Sequence, residues 1–154
     1  MFSKPFIDDV IVRPEKLPEF FPALYKILNV YKKRMTFAVG GHVGDGNMHI
    51  YTLINPKDPN FKEMIIKVSN QVYNLVLELG GSITAEHNDG LIRTPYLRQM
   101  YGDKIVAISE EIKKIFDPQN IFNPGKKVAL PNGAGTKEYM AVHISAESAA
   151  KHTT

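Results

Sequence analysis

The sequence contains no cysteine among its 154 residues. Disulfides, thiolate metal sites and cysteine nucleophiles are therefore excluded, and a bound metal would need histidine or carboxylate ligands. The absence of cysteine also fits a reducing compartment, so we predict a cytoplasmic location. We expect no signal peptide and no membrane span, because the amino-terminal residues lack an apolar core and no stretch approaches the roughly 18–20 apolar residues that cross a bilayer.

A strong excess of one charge is also missing, since 19 Lys and Arg against 16 Asp and Glu give a net charge of +3. The basic residues are scattered, and the one basic triplet, at Lys32, Lys33 and Arg34, suits a solvated helix end. We therefore expect no nucleic-acid partner. The chain has no repeat and no low-complexity block, and its 44% hydrophobic content predicts a globular domain with its own core.

The apolar pattern predicts an α+β fold. Alternating or apolar runs predict four strands, namely FIDDVIV, MTFAVGG, NMHIYTLI and SITAEH. Two segments that follow Pro14 and Pro59 have apolar residues at steps of three and four, which predicts amphipathic helices. The resulting order, βαββαβ, is typical of a ferredoxin-like antiparallel sheet with two helices on one face, here followed by C-terminal helices.

The C-terminal helices are predicted to begin at about Thr94 and at Asp103. The second of these helices has apolar residues that we expect to pack against the sheet: Ile105, Ile108, Ile112, Ile115 and Phe116. We predict that residues 1–128 form one domain and that residues 129–154 form a linker followed by a weak helix or a weakly structured tail, with the last ten residues mobile.

Four glycines, Gly40, Gly41, Gly44 and Gly46, lie within seven residues of the run GGHVGDGNMHI. Glycines allow a backbone to fold tightly around a small ligand, but a glycine-rich hairpin connection explains them equally well. A phosphate-binding loop is disfavoured, because the run leads into a strand and provides no helix N-terminus for the anion.

Two histidines and the pair Glu86-His87 lie at the ends of strands that the predicted pairing brings together. His42, His49 and Glu86 form a ligand set of two nitrogens and one oxygen, suited to Zn, Mn, Fe or Co with coordination positions left open. Alternatively, His42 caps a turn and His49 is a hydrogen-bonded sheet residue. On extended backbone, Glu86 and His87 would point to opposite sides, which would leave His87 free to act as a general base; the alternative is an exposed histidine in a turn.

Three motifs, GGHVGDGNMHI, GGSITAEHNDG and FDPQNIFNPGKKV, resemble in order the signatures of the C-terminal part of FAD-linked oxidases. These vanillyl-alcohol-oxidase-like flavoproteins include D-lactate dehydrogenase, glycolate oxidase and D-2-hydroxyglutarate dehydrogenase. The resemblance covers the chain from about Phe6 to Val128.

The resemblance implies specific roles for five residues. His42, His49 and Glu86 would bind a divalent metal, commonly zinc, on which a small 2-hydroxy acid docks. His87 would remove the hydroxyl proton while a hydride passes to FAD. Glu86 and Asn123 would also lie in the cofactor-binding region, with Asn123 beside the flavin ring.

The chain departs from the family pattern in two ways. Asn88 replaces the usual glycine after the Glu-His pair, and it tolerates left-handed backbone while adding a side chain. The family's FAD-binding domain is not found in the sequence. We therefore expect the C-terminal portion of an FAD-dependent 2-hydroxyacid dehydrogenase that is inactive alone, that needs an FAD-binding domain or subunit, and that self-associates through exposed apolar surface.

Two alternatives stay open at this point. One is a stand-alone divalent-metal-binding domain that uses His42, His49 and Glu86 as a facial triad. The other is a non-catalytic interaction module, because RNA-recognition domains share the βαββαβ order and stack bases on aromatic residues of their central strands. The predicted strands contain Phe6 and Tyr51 but lack the basic-glycine-aromatic signature of such domains.

Overall fold

The computed structural model describes residues 2–3, 5–55, 57–131 and 133–146. Its chain divides into two compact units. Met1–His87, together with the chain from Ala141 onward, forms the first unit, and Asn88–Met140 forms the second. The histidines and the glutamate of the predicted site all precede the boundary at His87, so they belong to one unit.

The first unit is built on an antiparallel sheet whose central strand is β4, Asn47–Ile54. Strand β3, Met35–His42, pairs with β4 over its whole length. Two short strands, β1 (Phe2–Ser3) and β2 (Val10–Ile11), pair with the two ends of β4. Every strand in the described part of this sheet therefore contacts β4.

The alternation predicted along β4 is confirmed. One face of the strand is buried at every position: Met48, Ile50, Thr52 and Ile54. On the other face, Tyr51 and Leu53 are 52% and 40% exposed. Asn47 and His49 share this second face but are buried. Side chains from residues 8–9 and 86–87 contact them and cover this end of the strand.

Both amphipathic helices of the first unit are confirmed. A 3-10 turn at Pro14–Lys16 leads into α1, Leu17–Val30, and α2 spans Phe61–Glu78. The two helices contact each other. Their buried residues are Leu17, Phe20, Leu24 and Leu28 in α1, and Phe61, Met64, Ile65, Val68, Ser69, Val72, Tyr73 and Val76 in α2. Each large apolar side chain among them contributes roughly 1.5–3 kcal/mol by its burial.

The α+β class is confirmed, but the last strand of the ferredoxin-like sheet is not. Of the segment SITAEH, only Ser82 pairs, in a single bridge with Ile11 whose two hydrogen bonds measure 2.8 and 2.9 Å. The backbone N–H groups of residues 85–87 donate to the carboxylate of Asp9. Because these donors are used there, the segment leaves the sheet after the bridge.

The first predicted strand, Phe6–Val12, is shorter than expected and consists of Val10–Ile11 alone. Asp9 has a φ angle of 61°, a left-handed conformation that interrupts an extended strand. The interruption turns the chain just before β2 and places two aspartates, Asp8 and Asp9, next to the histidines.

The second unit contains the short helix α3, Gly90–Arg93, a 3-10 turn and the long helix α4, Leu97–Phe116. Gly102 in α4 has φ 78° and ψ 170°, which is not helical. The two predicted helical segments, before and after this glycine, are therefore confirmed.

The predicted packing of α4 against the sheet concerns two separate units and stays a prediction. Five apolar residues of α4 are between 49% and 81% exposed: Ile105, Ile108, Ile112, Ile115 and Phe116. Within the described residues of the second unit, no element buries this row of side chains, which we call the α4 stripe.

A final helix, α5, spans Lys137–Ala146 in the region that the sequence predicts to be a linker and a weakly structured tail. The last ten residues, 145–154, are predicted to be mobile. Of these, residues 147–154 lie outside the described part of the chain.

Candidate functional site

Two of the predicted site residues lie on one hairpin. His42 ends β3, and His49 lies three positions into β4. The pairing register joins Gly40 to His49 and His42 to Asn47, so the two histidines are diagonal neighbours across the hairpin. Their ring centroids are 5.9 Å apart.

Two glycines of this hairpin, Gly41 and Gly46, are explained by close contacts with the protein's own backbone. Gly41 has φ 134°, and a Cβ atom there would lie 2.5 Å from the carbonyl oxygen of Asn47. Gly46 has φ 74°, and a Cβ atom there would lie 1.9 Å from the carbonyl oxygen of Val12. The hairpin explanation therefore holds for these two glycines, because only glycine fits both the angle and the space.

Asp9 is a buried residue of the site that the sequence patterns did not reveal. Its side chain is fully buried, and its carboxylate accepts four hydrogen bonds. Three come from the backbone N–H groups of residues 85–87 at 2.9 to 3.2 Å, and the fourth comes from the Asn47 side chain at 3.0 Å. Asp9 thus attaches the segment containing Glu86 and His87 to the end of β4.

These hydrogen bonds determine the charge state of Asp9. Burial alone would raise the pKa of its carboxyl group. The N–H groups of His87 and Ala85, the side chain of Asn47 and the N–H of Glu86 outweigh this effect and hold the pKa below its ordinary value. Asp9 is therefore a carboxylate at neutral pH, and its negative charge is stabilised by these hydrogen bonds within the protein.

Glu86 is the centre of the cluster. Its Oε1 atom lies 2.8 Å from Nε2 of His49, 3.5 Å from Nδ1 of His42 and 3.7 Å from Nε2 of His87. His49 is buried, whereas Glu86, His42 and His87 are 45%, 62% and 50% exposed. The four side chains thus meet around one point that is open to solvent on one side.

Asp8 closes the buried side of the cluster and was also missed. Its Oδ1 atom lies 3.2 Å from Nδ1 of His49, and its Oδ2 atom lies 3.4 Å from Nδ1 of His87. The only signal in the sequence was two adjacent aspartates inside an otherwise apolar strand pattern, which is unusual because strands rarely bury an unpaired charge.

The expectation that Glu86 and His87 point to opposite sides is wrong. Their side chains approach within 3.7 Å, and the His87 ring stacks on the His49 ring with centroids 4.8 Å apart. The segment is not extended, because its N–H groups converge on Asp9 and Asn88 has a left-handed φ of 64°. The left-handed backbone that Asn88 tolerates is therefore present.

Asn123 lies in the second unit and has a left-handed φ of 47°. Its backbone carbonyl accepts from the N–H of Lys126 at 3.1 Å, and its Oδ1 accepts from the Lys126 ammonium at 3.3 Å. These contacts define a tight turn, and the role of Asn123 beside a flavin ring stays a prediction.

Asp9, His49, Glu86 and His87 form a group that could hold a metal ion, and the predicted ligand His42 is not a member of this group. Atoms that share an ion at about 2.0–2.2 Å are about 3.0–3.6 Å from one another. The distances from Glu86 to His49 and His42, 2.8 and 3.5 Å, lie close to this range. One ligand atom of Asp9 lies within 4.8 Å of one ligand atom each of His49, Glu86 and His87. Because its oxygens already accept four hydrogen bonds, we assign Asp9 to the support of the loop rather than to the ion.

Three imidazoles and a carboxylate thus form a small polar cluster at one end of the antiparallel sheet of an α+β protein. Within the residues that the structure describes, no helix has the length and apolar character that a membrane crossing requires. The chain belongs to the family described as FAD linked oxidases, C-terminal domain, which matches residues 3–127.

Named relatives of the chain are longer oxidoreductases. It is 36% identical to D-lactate dehydrogenase of Anaerostipes hadrus over 121 residues, which cover 77% of the chain and 25% of that protein. It is 31% identical to D-2-hydroxyglutarate dehydrogenase of Pseudomonas putida over 85% of the chain and 12% of that protein. With glycolate oxidase subunit GlcD of Bacillus subtilis, it is 29% identical over 80% of the chain and 26% of that protein. The chain therefore spans about a quarter or less of these relatives.

Proposed function

We propose that this chain is the substrate- and metal-binding C-terminal portion of an FAD-dependent 2-hydroxyacid dehydrogenase of the D-lactate or glycolate type. The observation that supports this proposal best is the convergence of His42, His49 and His87 on Glu86 Oε1. Membership of the FAD-linked oxidase family supports FAD as the oxidant.

In this proposal, His42, His49 and Glu86 hold a divalent metal, with zinc as the preferred candidate. Two imidazole nitrogens and one carboxylate oxygen leave positions open for further ligands. The exposed side of the cluster gives a small 2-hydroxy acid access to these positions. When bound, the metal supplies Lewis acidity, which lowers the pKa of the substrate hydroxyl group.

His87 acts as the general base. Oxidation of a 2-hydroxy acid to a 2-oxo acid removes the hydroxyl proton and a hydride from the adjacent carbon. Nε2 of His87 accepts the proton, because it faces Glu86 at 3.7 Å while the other ring nitrogen faces Asp8. FAD would supply the oxidising power as the hydride acceptor, and Asn123 would lie beside its ring.

FAD is held by a domain or subunit outside this chain, so the isolated chain does not turn over substrate. The α4 stripe supports such a partner, because an exposed apolar row of this size marks a contact surface. The occupant that we propose for it is the flavin-binding part of the enzyme, since the chain spans only 25% and 12% of two named relatives. A cytoplasmic location is part of the same proposal.

Cobalt and zinc titrations of the chain test the metal site. We expect one ion per chain, a visible Co²⁺ spectrum typical of nitrogen and oxygen ligands, and loss of most of the affinity in His49→Ala. His42→Ala should also lose affinity, whereas His87→Ala should retain it. If His87→Ala loses the ion and His42→Ala keeps it, the ligand and base roles are exchanged. An unchanged affinity in His49→Ala would overturn the site.

A flavin experiment tests whether the chain needs a separate flavin-binding partner for activity. The chain mixed with FAD and D-lactate or glycolate should leave the flavin absorbance unchanged. Bleaching of that absorbance by the chain alone would contradict the need for a partner. If flavin reduction appears when a flavin-binding domain of a relative is added, and the His87→Ala variant abolishes it, the proposed base is supported.

A further inference from the structure

One carboxylate contacts both histidines that lie on the buried side of the cluster. Asp8 Oδ1 lies 3.2 Å from Nδ1 of His49, and Asp8 Oδ2 lies 3.4 Å from Nδ1 of His87. The Asp8 side chain is only 13% exposed, so water competes weakly for its two oxygens. Each carboxylate oxygen of Asp8 therefore contacts a different imidazole ring.

The contacts with Asp8 determine which edge each ring presents to Glu86. The remaining nitrogens, Nε2 of His49 and Nε2 of His87, face Glu86 Oε1 at 2.8 and 3.7 Å. The two rings are stacked, with an angle of 16° between their planes. Asp8 and Glu86 thus lie at opposite edges of the same pair of parallel rings.

A carboxylate can only accept hydrogen bonds, so a neutral imidazole that binds Asp8 must have its proton on Nδ1. Nε2 of the same ring faces the Glu86 carboxylate, and it is the nitrogen that can give its lone pair to a metal ion or accept a proton when either lies between the ring and Glu86. A ring with its proton on Nδ1 is the form that a metal-ligating nitrogen and a proton-accepting nitrogen both require. A single acidic side chain can therefore prepare His49 and His87 for two different tasks.

We propose that Asp8 is a positioning residue that keeps a proton on Nδ1 of His49 and of His87, so that Nε2 of each ring faces the site. The inference deepens the proposed function and rests on it for the tasks of the two histidines. The tautomers themselves follow from the contacts with Asp8 and can be measured without any activity.

Asp9 cannot replace Asp8 in this task. Its oxygens accept hydrogen bonds from backbone N–H groups and from Asn47, and they hold the backbone of the loop. The adjacent carboxylates therefore have separate roles: Asp9 fixes where Glu86 and His87 are attached, and Asp8 fixes how the imidazole rings are turned.

Long-range ¹H–¹⁵N correlation spectra of chain labelled at histidine report the tautomer of each ring. In the wild-type chain, His49 and His87 should both be Nδ1–H forms, with signals assigned from the His49→Ala and His87→Ala variants. Asp8→Ala should shift both rings toward a mixture and lower Zn²⁺ affinity by about 10- to 100-fold. Asp8→Asn, which retains one acceptor oxygen and the side-chain volume, should disturb one ring more than the other.

Asp45→Ala, at an exposed aspartate of the same unit, should change neither the tautomers nor the affinity. If Asp8→Ala does not fold, Asp8→Asn decides the question by the same spectra. Unchanged tautomers in a folded Asp8 variant would overturn the proposal. A wild-type chain that shows both Nδ1–H forms but binds no Zn²⁺ would instead support the role of Asp8 and overturn the metal part of the proposed function.

Discussion

The backbone N–H of His87 donates a 2.9 Å hydrogen bond to Oδ2 of Asp9, a fully buried carboxylate that lies 78 positions earlier in the chain. This contact joins the start of the sheet to the segment that contains the Glu-His pair. The geometry of the candidate site therefore depends on a residue that does not face the substrate.

Removal of the Asp9 carboxylate should destabilise the first unit. In Asp9→Ala, three backbone donors and the Asn47 amide lose their acceptor, and each buried donor left unsatisfied costs about 1–3 kcal/mol. We expect the free energy of unfolding to fall by at least 2 kcal/mol, as an order-of-magnitude estimate, in urea titrations. Asp45→Ala provides the matched control and should change it by less than about 0.5 kcal/mol. Equal stability of the two variants would contradict the anchoring role of Asp9.

Gly46→Ala should be strongly destabilising, whereas Gly44→Ala should be tolerated. An alanine Cβ at position 46 would lie 1.9 Å from the Val12 carbonyl oxygen and would require a φ of 74°, whereas at position 44 it meets no atom within 4 Å. Strain and overpacking together cost about 2 kcal/mol or more. Thermal unfolding of the two variants measures the difference. A melting temperature of Gly46→Ala equal to that of Gly44→Ala would show that the loop relaxes without cost.

Acid should weaken the turn that follows α4. The Lys113 ammonium holds the pKa of Asp117 below its ordinary value; burial opposes this effect, and the N–H groups of Ile121 and Phe122 add to it. Because the pKa is lower in the folded state, the stabilisation is complete above the unfolded pKa of about 3.9 and is lost as pH falls through the folded value. We expect the amide resonances of Ile121 and Phe122 to move together in that acid range. In Asp117→Asn this shared acid transition should disappear, and its persistence would contradict the assignment.

The α4 stripe should make the isolated chain self-associate. Ile112 is 51% exposed and lies near the middle of the stripe, so Ile112→Glu places a charge where a partner would bury apolar surface. Sedimentation velocity should show concentration-dependent association of the wild type and a monomer for Ile112→Glu. Lys104→Gln, on the same helix outside the stripe, changes the net charge by the same −1 and is the control. A wild-type chain that stays monomeric at high concentration would show that the stripe does not cause self-association.

The regular part of the fold was accessible from the sequence because local patterns determine it. The three-four spacing of Leu17, Phe20 and Leu24 gave α1, and the alternation from Met48 to Ile54 gave the buried face of β4. The close approach of His42 and His49 followed from their places on two strands predicted to pair, whereas Glu86 reaches them from a segment that was wrongly predicted to be a strand. Each of these inferences needs only the spacing of residues within or between regular elements.

The remaining features depend on contacts between distant positions. Asp9 lies inside an apolar run, so the sequence pattern predicts a strand residue. Its left-handed conformation is explained only by the backbone N–H groups of residues 85–87, which donate to its carboxylate. The same donors remove SITAEH from the sheet, so one unrecognised carboxylate explains the shortened first strand, the missing last strand and the convergence of Glu86 with His87. The spacing of the α4 stripe revealed a helical face, but periodicity does not reveal what covers it.

The distance along the sequence between Asp9 and its donors has a consequence for synthesis on the ribosome. Asp9 leaves the exit tunnel long before residues 85–87 are translated, so for most of that interval its carboxylate must remain hydrated. The hairpin and both helices can fold first, but the amino-terminal segment can be desolvated only when the Glu-His segment arrives. The amino-terminal segment thus reaches its final structure only with the residues that also form the candidate site.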